Sequence, residues 1–348
     1  MSQSEIPYAS QLVSFRKDID DIARGLISAF KLTFTEQEQH LSSPLSRWLD
    51  FRLRYIDPRP RGTLKSDGFA TRIPIKAVPA LNAFIKLSEA GADLNPYQTK
   101  TIKQNDFSGT KKQSRTDGLW ADWKIHHVHL TDVPLSSSGE FSKRSDWLLF
   151  FLAFPEHLAL IDVRCHNEPN IFEAHDLVEK AIKNWPEFSE KFQMKGILTQ
   201  SAPKDAETIK QLRRAGVAMM VEVDGHVYMP PGLGLTTAAT PLKVSLQEGR
   251  VSQLVHAIVE FFYDPNGAPM KMMAEEGVSE PTFSLRLLLP QGGLAVVYAE
   301  TGPCWPFSLW PTNSIGPQLE GILLPPWASA KLVEAEMAKK PNLPPSTN

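Results

Sequence analysis

The sequence predicts an α+β protein built from a helical N-terminal unit, a small antiparallel sheet with a helix packed on it, and a second α+β unit at the C-terminus. Three observations support this prediction. Apolar residues recur every three or four positions between residues 9 and 30, which is the period of a helix. From Trp120 onward the pattern changes, and residues 146 to 166 form two apolar runs joined by the short turn PEH, as in an antiparallel hairpin. At 348 residues, the chain is also too long for one ordinary hydrophobic core.

The N-terminal unit, residues 1 to 117, is expected to be helical and basic. Its first helix has one stripe of apolar side chains: Leu12, Phe15, Ile19, Ile22, Leu26 and Phe30. A second helix is predicted over residues 43 to 56, and a third over residues 78 to 90, closed by Gly91. Residues 100 to 116 are polar, basic and free of apolar periodicity, which is typical of a mobile loop. The first helix also offers a surface for a homodimer, although core packing is the more common use of such a helix.

The middle unit, residues 118 to 198, is expected to combine three strands with one helix. The stretch WADWKIHHVHL, residues 120 to 130, is the first predicted strand, and the hairpin supplies the other two. A helix is predicted from residue 172 to residue 185, where apolar residues repeat at helical spacing. We interpret this unit as the catalytic one.

The C-terminal unit, residues 199 to 330, is expected to form a second α+β body. Its predicted elements are a helix at residues 204 to 215, a hairpin around Asp224 and Gly225, a helix at residues 250 to 263 and a hairpin at residues 283 to 300. Asp-Gly between two apolar strands is the strongest short signal of a hairpin. Residues 331 to 348 are expected to be a disordered tail.

Composition bounds the class of protein. Apolar residues make up 42% of the chain and charged residues 22%, the balance of an ordinary globular protein, and no apolar run approaches the roughly 18 residues of a membrane span. The stretch MSQSEIPYAS lacks the basic and apolar regions of a secretory signal, and Cys165 and Cys304 are too few for a disulfide framework. A cytoplasmic protein with no membrane partner is therefore expected.

Charge is distributed unevenly along the chain. The formal net charge is −2, but residues 47 to 124 contain 15 Lys and Arg against 8 Asp and Glu, a local charge of +7. Such a segment predicts a docking surface for a polyanion such as RNA, and a solvated face balanced by acidic neighbours is the alternative. The candidate RNA-binding residues, including two tryptophans that would stack on unpaired bases, are Arg47, Arg54, Arg59, Arg61, Lys111, Lys112, Trp120, Trp123, Lys124 and Arg144.

Three of the nine histidines, His126, His127 and His129, fall within four positions of the first predicted strand. Side chains alternate along a strand, so His127 and His129 share one face and His126 lies on the other. The third predicted strand carries a polar stripe of its own: Asp162, Arg164 and His166. Because ionisable groups are costly to bury without partners, we expect the two polar stripes to meet, in a register that the sequence does not reveal.

The leading chemical interpretation of this set is metal-free RNA cleavage. One imidazole removes the proton of a ribose 2′-hydroxyl, a second protonates the leaving 5′-oxygen, and a cation stabilises the charge on phosphorus. The candidate catalytic residues are His126, His127, His129, His166 and Arg164. No cofactor is needed for this reaction.

Two alternatives stay open at the level of sequence. His127 and His129 can present two imidazoles to a metal ion, with His166, Asp162 or His175 completing the ligand set. No HExxH or CxxC motif supports this metal-dependent hydrolase. Alternatively, the histidines hydrogen-bond within a core sheet, and the protein binds nucleic acid or a partner without catalysis.

The middle unit resembles a known toxin family. The runs WKIHHVHL, KRSDWLLFFLAF and LIDVRCH are similar to the strand meander of RelE/ParE-type toxins, in the barnase, EndoU and RelE-like ribonuclease group. The resemblance implies a RelE-like sheet, endoribonuclease activity, an antitoxin or regulatory partner, and catalytic or phosphate-binding roles for Arg144, Arg164 and the histidines.

Other features separate this chain from those toxins. RelE-type toxins are short and strongly basic, whereas this chain is long, slightly acidic and extended at its C-terminal side. The stretches RWLDFRLRY, WKIHHVHL and KNWPE are also similar to an uncharacterised bacterial family associated with toxin or phage-defence loci.

Overall fold

The structure is a computed structural model that describes residues 5–36, 40–104, 117–136, 139–197, 205–299 and 301–339. About 48% of it is helix and 15% is strand, and the strands form small, mainly antiparallel sheets. This composition confirms the predicted α+β class. Among the described residues, no helix combines the length and the apolar character needed to cross a bilayer.

The helices and strands follow one another along the whole described chain. The helices are α1 (Glu5–Ala29), α2 (Pro44–Arg54), α3 (Phe69–Arg72), α4 (Val78–Glu89), α5 (Gly118–Trp123), α6 (His175–Asn184), α7 (Pro186–Ser189), α8 (Ala206–Arg214), α9 (Leu242–Tyr263), α10 (Ala268–Glu275), α11 (Ile315–Leu323) and α12 (Pro326–Lys339). The strands are β1 (Gly62–Lys65), β2 (His126–His129), β3 (Trp147–Ala153), β4 (His157–Cys165), β5 (Val221–Val223), β6 (His226–Tyr228), β7 (Phe283–Leu287), β8 (Leu294–Tyr298) and β9 (Cys304–Pro306).

The chain divides into two compact units that differ from the expected boundaries. The terminal unit contains Met1–Asp50 and Ser245–Asn348, and the central unit contains Phe51–Val244. The N-terminal helix therefore belongs with the C-terminal part of the chain, and the expected boundaries at residues 117 and 198 both fall inside the central unit. The expected disordered tail is helical up to Lys339, and its last residues lie outside the described part.

The terminal unit is organised around α1. The centre of the apolar stripe that predicted this helix is buried, with Phe15, Ile19 and Leu26 at most 2% exposed, and Leu12 and Ile22 are partly buried. It packs against β7 and α12, and Asp18 accepts a hydrogen bond of 2.8 Å from the backbone N–H of Leu285. Strands β7, β8 and β9 form an antiparallel sheet, as predicted for the hairpin at residues 283 to 300.

The central unit contains a four-stranded sheet in the order β1-β4-β3-β2, in which only the β1–β4 pair is parallel. Both faces of β3 are buried, which explains its continuous apolar sequence. One face packs on α6 through Leu148 and Phe150, and the other packs on α4 through Leu149 and Phe151. The Asp-Gly turn forms the predicted β5–β6 hairpin.

The first predicted strand is wrong at its N-terminal end, because residues 118 to 123 form helix α5. Asp117 caps this helix by accepting a hydrogen bond from the backbone N–H of Trp120, at 3.2 Å. Lys124 ends it in the left-handed region, with φ 59°. Strand β2 therefore begins only at His126. Of the expected mobile loop, residues 100 to 102 form a 3₁₀ turn, and residues 105 to 116 lie outside the described part.

Candidate functional site

The register of the central sheet decides which polar side chains share a face. Strand β2 pairs with β3, and β3 pairs with β4, so the two polar stripes lie in one sheet but are separated by a strand. The rows across the three strands are His127–Phe150–Asp162 and His129–Leu148–Arg164. Residues opposite each other point to the same side of a sheet. His127 and His129 therefore share a face with Arg164, and His126 lies on the other face.

His127 is held by a carboxylate. Its Nδ1 lies 2.7 Å from Oδ2 of Asp117, and the His127 ring is 9% exposed. Burial by itself raises the pKa of Asp117, but the charge of His127 and hydrogen bonds from His127 and from the backbone N–H of Trp120 hold that pKa below its usual value. Asp117 is therefore ionised and accepts a hydrogen bond from Nδ1 of His127. The edge of the Phe172 ring packs on the imidazole, with centroids 5.0 Å apart.

His129 and His166 form a stacked pair on the same face. Their ring centroids are 5.2 Å apart, and the backbone N–H of His166 donates to the carbonyl of Asp146, which holds His166 beside the start of β3. His129 is 5% exposed, whereas His166 is exposed. Burial, followed by the charges of His127, His166 and Arg144, lowers the pKa of His129 to about 4. His129 is thus neutral near pH 7, and the exposed imidazole of the pair is His166.

His126 is separated from the other three histidines. It stacks on Phe151 on the opposite face of the sheet, with centroids 5.6 Å apart. Burial lowers its pKa to about 3, with smaller contributions from nearby charges. An imidazole with this pKa is uncharged and only weakly basic at neutral pH, so His126 is suited to neither proton transfer of the predicted reaction.

Arg164, the predicted phosphate-binding cation, is enclosed by carboxylates. It donates to Asp162 at 2.9 Å, to Glu168 at 2.9 Å and to Asp176. Lys180 joins the same network through contacts of 2.6 Å with Asp162 and 2.8 Å with Asp176. Although Arg164 faces the same side as His127, three carboxylates compensate its charge, and the network attaches α6 to the sheet. Sequence reasoning had expected this guanidinium to face a phosphate.

Five of the eight predicted RNA-binding residues that the structure describes are buried. Arg47 is fully buried and donates to the carbonyl of Thr33 at 2.9 Å, and Arg61 is 5% exposed and donates to the carbonyls of Asp57 and Phe154. Three further candidates, at most 4% exposed, are Arg54, Trp120 and Trp123. The buried tryptophans leave no ring face for base stacking, which corrects that part of the prediction. Arg59 and Arg144 are exposed and Lys124 is partly exposed, whereas Lys111 and Lys112 lie outside the described residues.

The alternative metal site is not formed in the described part of the chain. There, no three His, Cys, Asp or Glu side chains are placed so that they could hold one metal ion. The physical reasons are visible for the predicted ligands: Nδ1 of His127 is turned to Asp117, and the rings of His129 and His166 are stacked on each other.

Sequence reasoning missed the residues that position His127. Asp117 is recognisable only as a helix-capping residue, three positions before Trp120. Arg213 connects helix α5 to Phe172. Its Nε lies 2.6 Å from Oδ2 of Asp122, and its Nη1 donates to the carbonyl of Phe172 at 2.9 Å. The backbone N–H of Gly232 donates to the carbonyl of Asp122 at 2.7 Å. These contacts join residues that are about 40 to 110 positions apart in the chain, so no local pattern signals them.

Comparisons with known proteins give no further assignment. No family model matches the chain, and no curated protein or solved structure matches it significantly. The likeness to RelE/ParE-type toxins therefore stays a prediction, and the function is argued from the geometry of the described residues.

Proposed function

We propose that the central unit is a metal-independent endoribonuclease in which His127 and His166 transfer protons. The observation that carries this proposal is the Asp117–His127 pair at 2.7 Å, on the same face of the sheet as the His129–His166 stack. A carboxylate that fixes one nitrogen of an imidazole is the usual means of orienting a histidine base.

The proposed reaction follows from the hydrogen bond that orients His127. In neutral His127, the hydrogen bond from Nδ1 to ionised Asp117 leaves the lone pair on Nε2, which removes the proton of a ribose 2′-hydroxyl. The 2′-oxygen then forms a bond to phosphorus, and the bond from phosphorus to the 5′-oxygen breaks. His166 donates its proton to that 5′-oxygen, and the exposed Arg144 pairs with the phosphate. The products are a 2′,3′-cyclic phosphate and a free 5′-hydroxyl.

The wider biological setting belongs to the same proposal. The resemblance to RelE/ParE-type toxins supports a cytoplasmic bacterial enzyme from a toxin–antitoxin or phage-defence system, with an antitoxin or regulatory partner. Homodimer formation through the N-terminal helices is a further part of it. The buried stripe of α1 leaves only the exposed remainder of that helix for such an interface.

The experiment is RNA cleavage in the presence of EDTA. Purified protein is incubated with a mixture of unstructured RNA oligonucleotides, and the 3′ ends are analysed for cyclic phosphate. General acid or base catalysis contributes about 100-fold to 10,000-fold in rate, so His127→Ala and His166→Ala should each lose at least about 100-fold. His226→Ala, which changes an exposed histidine of the same unit, should cleave like the wild type.

Asp117→Asn adds a variant that keeps the shape of the site. It should lose activity through the wrong His127 tautomer while its thermal unfolding still shows a folded protein. Absence of cleavage by the wild type, or cleavage unchanged in both His127→Ala and His166→Ala, would refute the proposed enzyme.

One observation favours a second candidate function. His127 and His129 are only 9% and 5% exposed, as expected for imidazoles that stabilise a sheet. In that case the protein binds nucleic acid or a protein partner without turnover. The same incubation distinguishes the two candidates, because this one predicts salt-sensitive RNA binding and intact RNA.

A further inference from the structure

Strand β1 lies at an edge of the central sheet, and among the described strands it pairs only with β4. The backbone N–H groups of Gly62 and Ser66 donate to carbonyls on the β4 side, at 3.2 Å and 3.0 Å. Successive residues of a strand point their backbone groups to opposite sides. The N–H and C=O groups of Thr63 and Lys65 therefore point away from β4, towards the edge.

The edge formed by β1 is open to solvent. Gly62, Leu64 and Lys65 are exposed, and Thr63 is partly exposed. Leu64 leaves 46% of its surface in contact with water, which is unusual for an apolar residue in a sheet. A Cβ on Gly62, which lies on the same face of the strand, would meet nothing within 4 Å. An exposed sheet edge of this kind is a template for pairing with another strand.

We propose that β1 pairs in the antiparallel direction with β1 of a second copy of the chain, about a two-fold axis at Leu64. In this register, Thr63 of each copy lies opposite Lys65 of the other copy. Each of these pairs exchanges two backbone hydrogen bonds, so the outward N–H and C=O groups of both strands are satisfied. The same patch is used on both copies, as in most homodimers.

The side chain of Leu64 gains a partner in the same register. It lies opposite Leu64 of the second copy in a non-hydrogen-bonded pair, where side chains come closest. Gly62 and Ser66 are its neighbours along the same face, and the absence of a side chain on Gly62 leaves room for the second leucine. The pairing therefore covers the exposed apolar surface at the centre of the edge.

Charge selects this register and favours a second copy as the partner. Lys65 is the one charged residue of β1, and in the proposed register it lies opposite an uncharged threonine. One shift of the register would place Lys65 opposite Lys65, where like charges repel. The opposite shift would place Leu64 opposite Gly62, which offers no side chain to pack on. The edge is thus complementary to itself in a single register.

This interface is separate from the one considered for α1 and does not depend on RNA cleavage. Sedimentation velocity of the full chain tests it. Because two short strands form an interface of the weak, transient class, the mean mass should rise towards that of a dimer between about 1 µM and about 300 µM. Leu64→Lys places like charges at the two-fold axis and should weaken the association at least about tenfold.

A proline gives a second variant that leaves the fold intact. Lys65→Pro removes an N–H that points away from β4, so no hydrogen bond inside the chain is lost, and proline is tolerated at such edge positions. This variant should also weaken the association at least about tenfold, because each copy loses one donor to the other. Thermal unfolding checks that both variants are folded.

Two variants on other exposed surfaces are the controls. Ile75→Lys changes a side chain that is 90% exposed, and Val13→Lys changes one that is 66% exposed on α1. Both should associate like the wild type. Loss of association in Val13→Lys, with association unchanged in Leu64→Lys, would assign the dimer to α1 and overturn the proposed interface.

Disulfide formation tests the register. The background is a chain with Cys165→Ser and Cys304→Ser, and Leu64→Cys then places two thiols opposite each other. The Cα atoms of such a pair are about 4.5 Å apart, within the range of a disulfide. Glutathione disulfide should therefore yield a covalent dimer on a non-reducing gel. Lys65→Cys is also exposed but lies opposite Thr63, and should yield at least about tenfold less.

Three results would overturn the pairing of β1 with a second copy. One is a mass that stays constant over the whole concentration range. Another is association that is equally strong in Leu64→Lys and Lys65→Pro. The third is equal cross-linking by Leu64→Cys and Lys65→Cys. Because none of these measurements involves RNA, loss of this interface and loss of the ribonuclease are separate outcomes.

Discussion

Replacing Gly232 by alanine should displace helix α5. An ideal Cβ at this position would lie 1.9 Å from the carbonyl oxygen and 2.7 Å from the carbonyl carbon of Ala121, both backbone atoms of α5. Because non-bonded carbon contacts normally lie at about 3.5 to 4.0 Å, the helix or the loop must move by more than about 1 Å. That movement breaks two backbone hydrogen bonds. They run from the N–H of Gly232 to the carbonyl of Asp122, at 2.7 Å, and from the N–H of Gly234 to the carbonyl of Ala121, at 3.2 Å.

The expected loss of stability follows from these contacts. Two lost hydrogen bonds cost about 1 kcal/mol each, and overpacking costs a further 1 to 3 kcal/mol or so, which gives about 3 to 5 kcal/mol in total. Urea unfolding measures the change, and hydrogen exchange of the α5 amides locates it. The control is Gly62→Ala in β1, where a Cβ meets nothing within 4 Å, with a change of at most about 0.5 kcal/mol. A loss below about 1 kcal/mol for Gly232→Ala would refute the close approach on which this reasoning depends.

Two further predictions concern buried charge in the central unit. Arg213→Met leaves Asp122, whose side chain is 4% exposed, without its 2.6 Å partner, and should cost about 3 to 5 kcal/mol in thermal or urea unfolding. Arg213→Met combined with Asp122→Asn should recover part of that loss, and a double variant no more stable than the single one would contradict a charge effect. The second prediction concerns His126, whose pKa is about 3 in the fold against a usual 6.5. Its contribution to stability is fully present above pH 6.5 and is lost as the pH falls towards 3, because the unfolded chain then binds the proton more strongly. Between pH 7 and pH 5 the free energy of unfolding of the wild type should therefore fall by about 2 kcal/mol more than that of His126→Phe. Urea unfolding at both pH values measures this difference. An equal fall in the two proteins would show that the pKa of His126 is not lowered by the fold.

Local patterns predicted the individual elements well but not their assembly. The apolar stripe with Phe15 and Ile19 correctly predicted a helix, and the Asp-Gly turn correctly predicted a hairpin. The stripe does not indicate which element packs against the helix. That element is β7, which lies more than 250 residues away in the chain. For this reason the units were expected in sequence order, whereas the chain ends share one unit.

The candidate site shows the same division between local and long-range information. Alternation along β2 correctly placed His127 and His129 on one face and His126 on the other. Which of these faces carries Arg164 depends on the register of two strand pairs, and the sequence does not contain that register. Helix α5 was not predicted because its tryptophans fit a strand pattern equally well. The feature that favours a helix there is one capping hydrogen bond, from the backbone N–H of Trp120 to the side chain of Asp117.

The burial of the arginines changes what the basic segment can do. A local charge of +7 suggested a broad face for a polyanion, but Arg47 and Arg61 are buried and donate to backbone carbonyls. A guanidinium used in this way satisfies carbonyl groups inside the protein and contributes little to phosphate binding at the surface. The number of charges along the chain therefore overestimates the positive charge that an anion meets at the surface of the described residues. Under the proposed function, RNA would therefore be bound by a few individual contacts, such as the one with exposed Arg144 beside the stacked histidines.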